Sequence, residues 1–192
     1  MLRLMPIRRG FTMVELMVTL AVLGILILIG LPNLSEWLQN TQIRTAAESI
    51  QNGAQLARTE AVRRNTQIEF ALIAGDPNSG NANAAPNAAG PNWMVRNFQS
   101  SGTYTSTDFV QGGGTYSSPN VVIAATDPTA VFNGLGQTNL AAIDTIQITN
   151  PNGGNCVAAG GGMRCLNVVI QIGGQIRMCD PAVTTAGDTR AC

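Results

Sequence analysis

The fold of this protein is decided by residues 8–32, which read RRGFTMVELMVTLAVLGILILIGLP. Residues 11–31 are mostly apolar and carry a single charge, that of Glu15. At about 1.5 Å of rise per residue, a helix of this length is roughly 31 Å long, close to the thickness of the hydrocarbon core of a bilayer. The segment therefore predicts a helix that crosses a membrane.

Basic residues lie on one side of this segment. Arg3, Arg8 and Arg9 precede it, and the next basic residue is Arg44. The positive-inside rule therefore predicts that the N-terminus stays in the cytoplasm and that the chain after the helix is exported. A secretory signal would end in a small-x-small site after a shorter apolar run, whereas Pro32 follows this one. The pattern favours a retained membrane helix.

Glu15 distinguishes the segment from a simple membrane anchor. An ionisable side chain inside a bilayer costs at least about 2.5 to 3.5 kcal/mol. A carboxylate is tolerated there when a cation lies close, and the pair then fixes the register between packed helices. We therefore expect Glu15 to have a function.

Residues 8–15, RRGFTMVE, resemble the leader of type IV prepilins and of the pseudopilins of type II secretion. The resemblance implies that a prepilin peptidase cuts between Gly10 and Phe11 and methylates the new amine of Phe11. It also implies that Glu15 meets the N-terminal amine of a neighbouring subunit during assembly. The expected partners are the prepilin peptidase, other pilins and minor pilins, and the lipid of the inner membrane.

The rest of the chain predicts an α+β fold, type IV pilin-like, in which a long N-terminal helix packs on an antiparallel β-sheet head. Apolar residues recur at helical spacing from Leu34 to Ala61, with Asn65 as the stop, and alternation at residues 68–72 predicts a half-buried strand. Residues 75–92 lack apolar periodicity and predict a mobile, solvent-facing loop. Further strands are expected at residues 93–98, 102–110, 120–125, 130–132, 143–149, 164–172 and 175–178.

These elements predict four segments along the chain. They are a cleaved leader (residues 1–10), a transmembrane and assembly helix (11–32), an amphipathic helix (33–65) and a periplasmic β-rich head with a disulfide-bonded tail (66–192).

The four cysteines lie in the last fifth of the chain, without a CxxC pair. This spacing favours disulfides over metal or redox chemistry and indicates an oxidising compartment. Three pairings are possible. We expect Cys156 with Cys165, which would bracket a turn at residues 155–163, and Cys179 with Cys192, which would staple residues 180–191 to the strand that carries Arg177.

The composition disfavours an enzyme. Charged residues make up 11% of the chain, and there is no histidine, so catalytic triads and imidazole zinc sites are excluded. No phosphate-binding loop, paired acids or metal-ligand cluster is visible in the sequence. We therefore expect a structural protein without a metal or a cofactor.

Two segments of the head, FNGLG at residues 132–136 and GQIRMCDP at residues 174–181, resemble the GspH, FimT and FimU group of pseudopilins and minor pilins. The resemblance implies a minor pilin of the FimU or FimT kind, acting in pilus initiation or at the tip. Such a protein is single-pass in the inner membrane with a periplasmic C-terminal domain, and joins the pilus on assembly. A GspH-like pseudopilin of a type II secretion system is an alternative.

A second alternative is a FimT-like DNA receptor for natural transformation. That subgroup carries a Gly-Arg-x-Arg motif, whereas this sequence has Gln175 in place of the first arginine and keeps Arg177. Arg164, Arg177 and Arg190 are the candidate DNA contacts. Cleavage of the leader would leave acidic residues in excess over arginines, which disfavours nonspecific binding to phosphates.

Overall fold

The computed structural model describes residues 10–114 and 120–192, and within residues 28–33 it describes the backbone only. The leader arginines Arg3, Arg8 and Arg9 therefore lie outside the described residues. The chain divides into two units: the first ends at Trp37, and the second is Leu38–Cys192.

Helix α1 is Met13–Arg64. Thr12 precedes the helix and caps it: its Oγ1 accepts a hydrogen bond from the Glu15 amide at 3.2 Å, which satisfies one of the free amides of the first turn. The helix ends at Asn65, which has a left-handed φ of 49°. The predicted stop at Asn65 is confirmed. The boundary between the predicted segments 11–32 and 33–65 lies within α1, and the separate roles of the two segments stay predictions.

The second half of α1 buries a stripe of small and apolar side chains at spacings of three and four. Alanine dominates this stripe, which lets the helix backbone approach the strands closely. Its members are Ile43, Ala46, Ala47, Ile50, Ala54, Ala57 and Ala61, each at most 1% exposed. They share one core with Phe70, Phe132, Ile146 and Val168 from the strands.

Within the described residues eight strands follow α1: β1 Ile68–Ile73, β2 Asn92–Asn97, β3 Phe109–Gly114, β4 Val122–Ala125, β5 Thr129–Phe132, β6 Asp144–Thr149, β7 Leu166–Ile170 and β8 Ile176–Cys179. Short 3-10 turns lie at Ser79–Asn81, Pro151–Gly153 and Val157–Ala159. The strands pair antiparallel in two four-stranded sheets, ordered β3-β2-β1-β5 and β4-β6-β7-β8. The α+β prediction is confirmed, with two sheets in the head.

Most of residues 75–92 are exposed to solvent, as predicted, but part of the segment is buried. Its mobility stays a prediction. Ala82 in this segment is 2% exposed, and a Cβ on Gly90 would overlap the Ile73 backbone. Ala84 packs on a small apolar cluster formed by Ala71, Ile73 and Met94. The segment therefore covers the face of the first sheet that carries Ala71, Ile73 and Met94. As a result β1 is buried on both faces along its whole length, and not half-buried as predicted.

Strand β3 also differs from its prediction at residues 102–110. It begins at Phe109 and continues through Gly112 and Gly113 to Gly114. A Cβ on Gly113 would lie 2.6 Å from the ring of Trp93, and one on Gly112 would overlap Pro77. Glycine occurs in this strand because neighbouring groups occupy the space that side chains would need.

Candidate functional site

The predicted processing and assembly residues lie at the start of the first unit. Gly10 and Phe11 precede α1, and Phe11 is 83% exposed. Glu15 lies in the first turn of the helix and is exposed. With Thr12 it has the spacing of a capping box, and its carboxylate lies at the positive end of the helix dipole. The sequence signal for this cap is Thr12 followed three residues later by Glu15.

In the part of the chain that the structure describes, no helix combines the length and hydropathy needed to cross a membrane. The span predicted at residues 11–32 stays a prediction, and it includes residues 28–32, whose side chains lie outside that part.

The structure pairs Cys156 with Cys165 and Cys179 with Cys192, which is the expected pairing. Their Cα atoms are 5.4 Å and 5.1 Å apart. Among the described residues no cysteine is free, and no group of acids and cysteines could hold a metal ion. The cysteines therefore contribute covalent staples around the C-terminal strands.

Arg177 holds the end of the chain against β8. Its Nη1 donates to the Ala191 carbonyl at 2.8 Å, and its Nη2 donates to the Cys192 carbonyl at 3.1 Å. The Asp180 amide donates to the Arg190 carbonyl at 2.7 Å. The Cys179–Cys192 bond closes the same loop, so the tail is fixed by one covalent link and several hydrogen bonds.

The other two candidate DNA contacts are placed differently. Arg190 forms an ion pair with Asp188 at 2.8 Å, and its hydrogen bonds lower the pKa of Asp188 to about 2. The backbone amide of Arg164 donates to Asn40 Oδ1 of α1 at 2.8 Å. Arg177 and the backbone of Arg190 therefore both take part in holding the tail. Both guanidinium groups already have partners within the protein.

A buried polar cluster on the first sheet was not predicted. Arg96 is 1% exposed; its Nε donates to Glu69 Oε2 at 2.8 Å, and its Nη1 donates to the Ala82 carbonyl at 2.7 Å. Tyr104 donates its hydroxyl proton to Glu69 and lies under the Arg96 guanidinium, 3.5 Å from the ring centroid. Burial, with the Glu69 hydrogen bond, raises the pKa of Tyr104 to about 12. The sequence signal for this pair was an acidic residue, Glu69, in one predicted strand and a basic residue, Arg96, in the next.

A small open cavity of about 280 Å³ lies between α1 and the start of β8. Its lining residues are Gln55, Arg58, Thr59, Gln175 and Ile176. Gln175 is the residue that replaces the first arginine of the FimT-type motif, so this position faces a cavity on the helix side.

The sequence matches two protein families. Residues 46–174 match the family described as type II transport protein GspH, and residues 5–31 match the prokaryotic N-terminal methylation motif. The first match covers more than half of the 192 residues. No curated protein sequence matches the chain.

Three solved structures are similar to the chain. Two are crystal forms of the type IV minor pilin FimU of Pseudomonas aeruginosa, with 16% and 15% sequence identity and TM-scores of 0.53 and 0.51. The matches cover 72% and 70% of this chain, and 88% and 90% of the FimU chains. The third is the minor pseudopilin EpsH from the type 2 secretion system of Vibrio cholerae, at 9% identity and a TM-score of 0.48, covering 74% of this chain and 99% of that one. The FimU structures share the fold of the head.

Proposed function

The chain belongs to the GspH family of pilin-like subunits, and we propose that it is a FimU-like minor pilin that is incorporated into a type IV pilus during initiation or at the tip. One observation carries the proposal: a methylation motif at residues 5–31 and a GspH match at residues 46–174 occur in one chain and share helix α1. Members of this family are structural subunits. The work of this protein is therefore packing against other subunits.

Processing by a prepilin peptidase is the first step of the proposed function. The bond between Gly10 and Phe11 precedes the first residue of α1, and both residues are exposed. A peptidase needs an accessible, non-helical backbone, and glycine adds no side chain on the leader side of the bond. Cleavage would leave Phe11 as the N-terminus, with its amine ready for methylation.

Glu15 is the proposed assembly residue. A cleaved chain presents a cationic amine at Phe11, and a carboxylate on a neighbouring chain is its natural partner in a low-dielectric setting. Because each chain carries one carboxylate at the start of the helix, the pair would fix the register between adjacent helices. We propose that residues 11–32 hold the chain in the inner membrane until then, with the head in the periplasm.

The test is the fate of matched variants of the full chain in cells. Mass spectrometry of the wild-type protein should give methylated Phe11 as the N-terminus, and Gly10→Leu should leave the leader attached. Glu15→Ala should be processed normally but recovered poorly in sheared pili. Glu36→Ala, which removes another exposed acid of α1, is the control and should be incorporated like the wild type. An unprocessed wild-type chain would contradict the proposal.

The alternatives differ in their outcomes. A GspH-like pseudopilin would be needed for secretion and not for piliation, so deletion of the gene followed by assays of both processes separates the two. A DNA receptor would rely on Arg164, Arg177 and Arg190, and two of these guanidinium groups already bind the tail. Loss of DNA uptake after Arg164→Ala, with piliation intact, would favour the receptor.

A further inference from the structure

A leucine is displayed in a fixed position on the surface of the head. Leu135 is 80% exposed. Asn133 Oδ1 accepts hydrogen bonds from the amides of Leu135 and Gln137, both at 3.0 Å, and the Gly136 amide donates to the Asn133 carbonyl at 2.8 Å. The turn is closed by its own hydrogen bonds, so Leu135 projects into solvent from an ordered backbone.

The turn is seated against two other elements. Gly136 has a φ of 75°, and a Cβ on it would lie 3.1 Å from Arg58 Nε and 3.2 Å from Val62 Cγ2 of α1. A Cβ on Gly174 would overlap the Gly136 carbonyl, and the Thr138 amide donates to the Ile172 carbonyl at 3.1 Å. Glycine at both positions is required for this close approach.

The three contacting elements each carry an exposed apolar side chain. Val62 on α1 is 50% exposed, and Ile172 between β7 and β8 is 49% exposed. With Leu135 they form what we call the Leu135 patch. Exposing large apolar side chains to water is unfavourable. A group of them marks an interaction surface more often than scattered ones do.

The cavity between α1 and β8, which we call the Arg58 cavity, adjoins the patch. Arg58 lines it and also lies beside the turn at Gly136. Gln55 and Gln175 supply carboxamide donors, whereas the Thr59 hydroxyl already donates to the Gln55 carbonyl at 2.8 Å. Within the described residues the Arg58 guanidinium makes no hydrogen bond or ion pair, whereas Arg44, Arg63, Arg64, Arg96 and Arg190 each contact an acid. No acidic side chain lines the cavity.

We propose that the Leu135 patch and the Arg58 cavity together bind a neighbouring subunit of the filament, which brings a side-chain carboxylate to Arg58 and an apolar side chain to Leu135. The inference rests on the proposed function, since it takes the partner to be another pilin. A cavity with an unpartnered guanidinium and carboxamide donors is complementary to a carboxylate, which arginine binds through two parallel hydrogen bonds. Apolar contact at Leu135 would exclude water from that pair and strengthen it. A phosphate backbone offers no apolar group to Leu135.

The experiment places a photo-reactive amino acid at position 135 of the full chain in pilus-forming cells. Irradiation should give a covalent adduct that contains this chain and a second pilin, identified by mass spectrometry. The same amino acid at position 157, where Val157 is 43% exposed on the disulfide loop, is the site control and should give little adduct. Arg58→Glu should lower the yield at position 135 by about tenfold or more, as expected when one partner of a desolvated charge pair is reversed.

Arg164→Glu is the charge control, because it reverses an exposed arginine whose guanidinium also makes no hydrogen bond or ion pair within the described residues. It should leave the adduct at position 135 unchanged. Melting temperatures equal to the wild type for both charge variants show that folding is retained. If the chain is recovered in sheared pili but position 135 gives no pilin adduct, or an adduct insensitive to Arg58→Glu, the inference is wrong and the proposed function stands. If the chain never enters a filament, both fail.

Discussion

Arg96 and Glu69 are directly opposite each other on β2 and β1, with Arg96 Nε 2.8 Å from Glu69 Oε2 and both side chains buried. The pair is tolerated because its remaining groups are also satisfied: Arg96 donates to the carbonyls of Ala82 and Ala84, and Glu69 accepts from Tyr104. Arg96 therefore connects the sheet to the segment at residues 75–91 that covers it.

We predict that Arg96→Met lowers the free energy of unfolding by about 3–5 kcal/mol, because it leaves the Glu69 carboxylate buried without its cation. Urea denaturation of the purified chain measures this. Arg44→Met, which breaks an exposed ion pair with Glu48, is the control and should cost at most about 1 kcal/mol. Equal losses for the two variants would show that the buried pair does not stabilise the head. The double variant Glu69→Leu/Arg96→Met should lose less free energy of unfolding than Arg96→Met alone.

Asp144 should make stability depend on pH. Burial, with a smaller effect of the Asp127 charge, raises its pKa, so the folded state favours the protonated carboxyl. Its contribution to stability is complete below the pKa of an unfolded aspartate, about 3.9, and is lost as the pH rises through the higher folded value. Asp144→Asn keeps an acceptor for the Asp127 amide, which donates to Asp144 Oδ1 at 3.0 Å.

The melting temperature of Asp144→Asn relative to the wild type should therefore increase as the pH is raised from about 3 to 7. Asp180→Asn, at a carboxyl that also accepts a backbone hydrogen bond but is less buried, serves as the control. A difference that is constant with pH, or that shrinks on raising it, would contradict the assignment.

The Cys179–Cys192 bond should protect the tail. Replacing both cysteines by serine opens a loop with a sequence separation of 13 and should lower stability by about 3 kcal/mol in the chain-entropy picture. Hydrogen exchange of the Asp180 amide, which donates to the Arg190 carbonyl, should accelerate more than exchange in β7. The matched variant without Cys156 and Cys165 should lose similar stability but keep slow exchange at Asp180. Unchanged exchange after loss of Cys179 and Cys192 would mean that Arg177 is sufficient to hold the tail.

Trp93 lies between two glycines, and each should resist substitution. A Cβ on either Gly53 or Gly113 would lie 2.6 Å from the Trp93 ring. Gly113→Ala should lower the free energy of unfolding by about 1–3 kcal/mol through overpacking. Gly173→Ala, where a Cβ meets nothing within 4 Å, is the control and should leave it nearly unchanged. Fluorescence in a Trp37→Phe background reports the environment of the indole, whose Nε1 donates to Ser49 Oγ at 2.9 Å. An unshifted spectrum and an unchanged stability in Gly113→Ala would refute this packing.

The sequence by itself determined those features that depend on neighbours along the chain. Helix α1 follows from a long apolar run and from alanines at spacings of three and four, and its end follows from Asn65, a residue that tolerates left-handed backbone. Of the three possible pairings of the cysteines, the one expected because it brackets a turn and staples the tail is the one in the structure. The ion pairs of Glu60 with Arg63 and Arg64 followed from the same helical spacing.

The tertiary structure decided whatever depends on residues distant in sequence. Residues 75–91 predict a loop because they contain few apolar side chains, but Arg96 donates to the Ala82 carbonyl and Ala84 packs on the cluster around Met94. The glycines of β3 occur where Trp93 and Pro77 leave no room for a side chain, and the sequence of the strand alone does not show this. The sequence shows that Arg58 is charged, but only the tertiary structure places the turn at residues 133–137 beside it and leaves Leu135 exposed. Exposure and pairing are properties of the assembled surface.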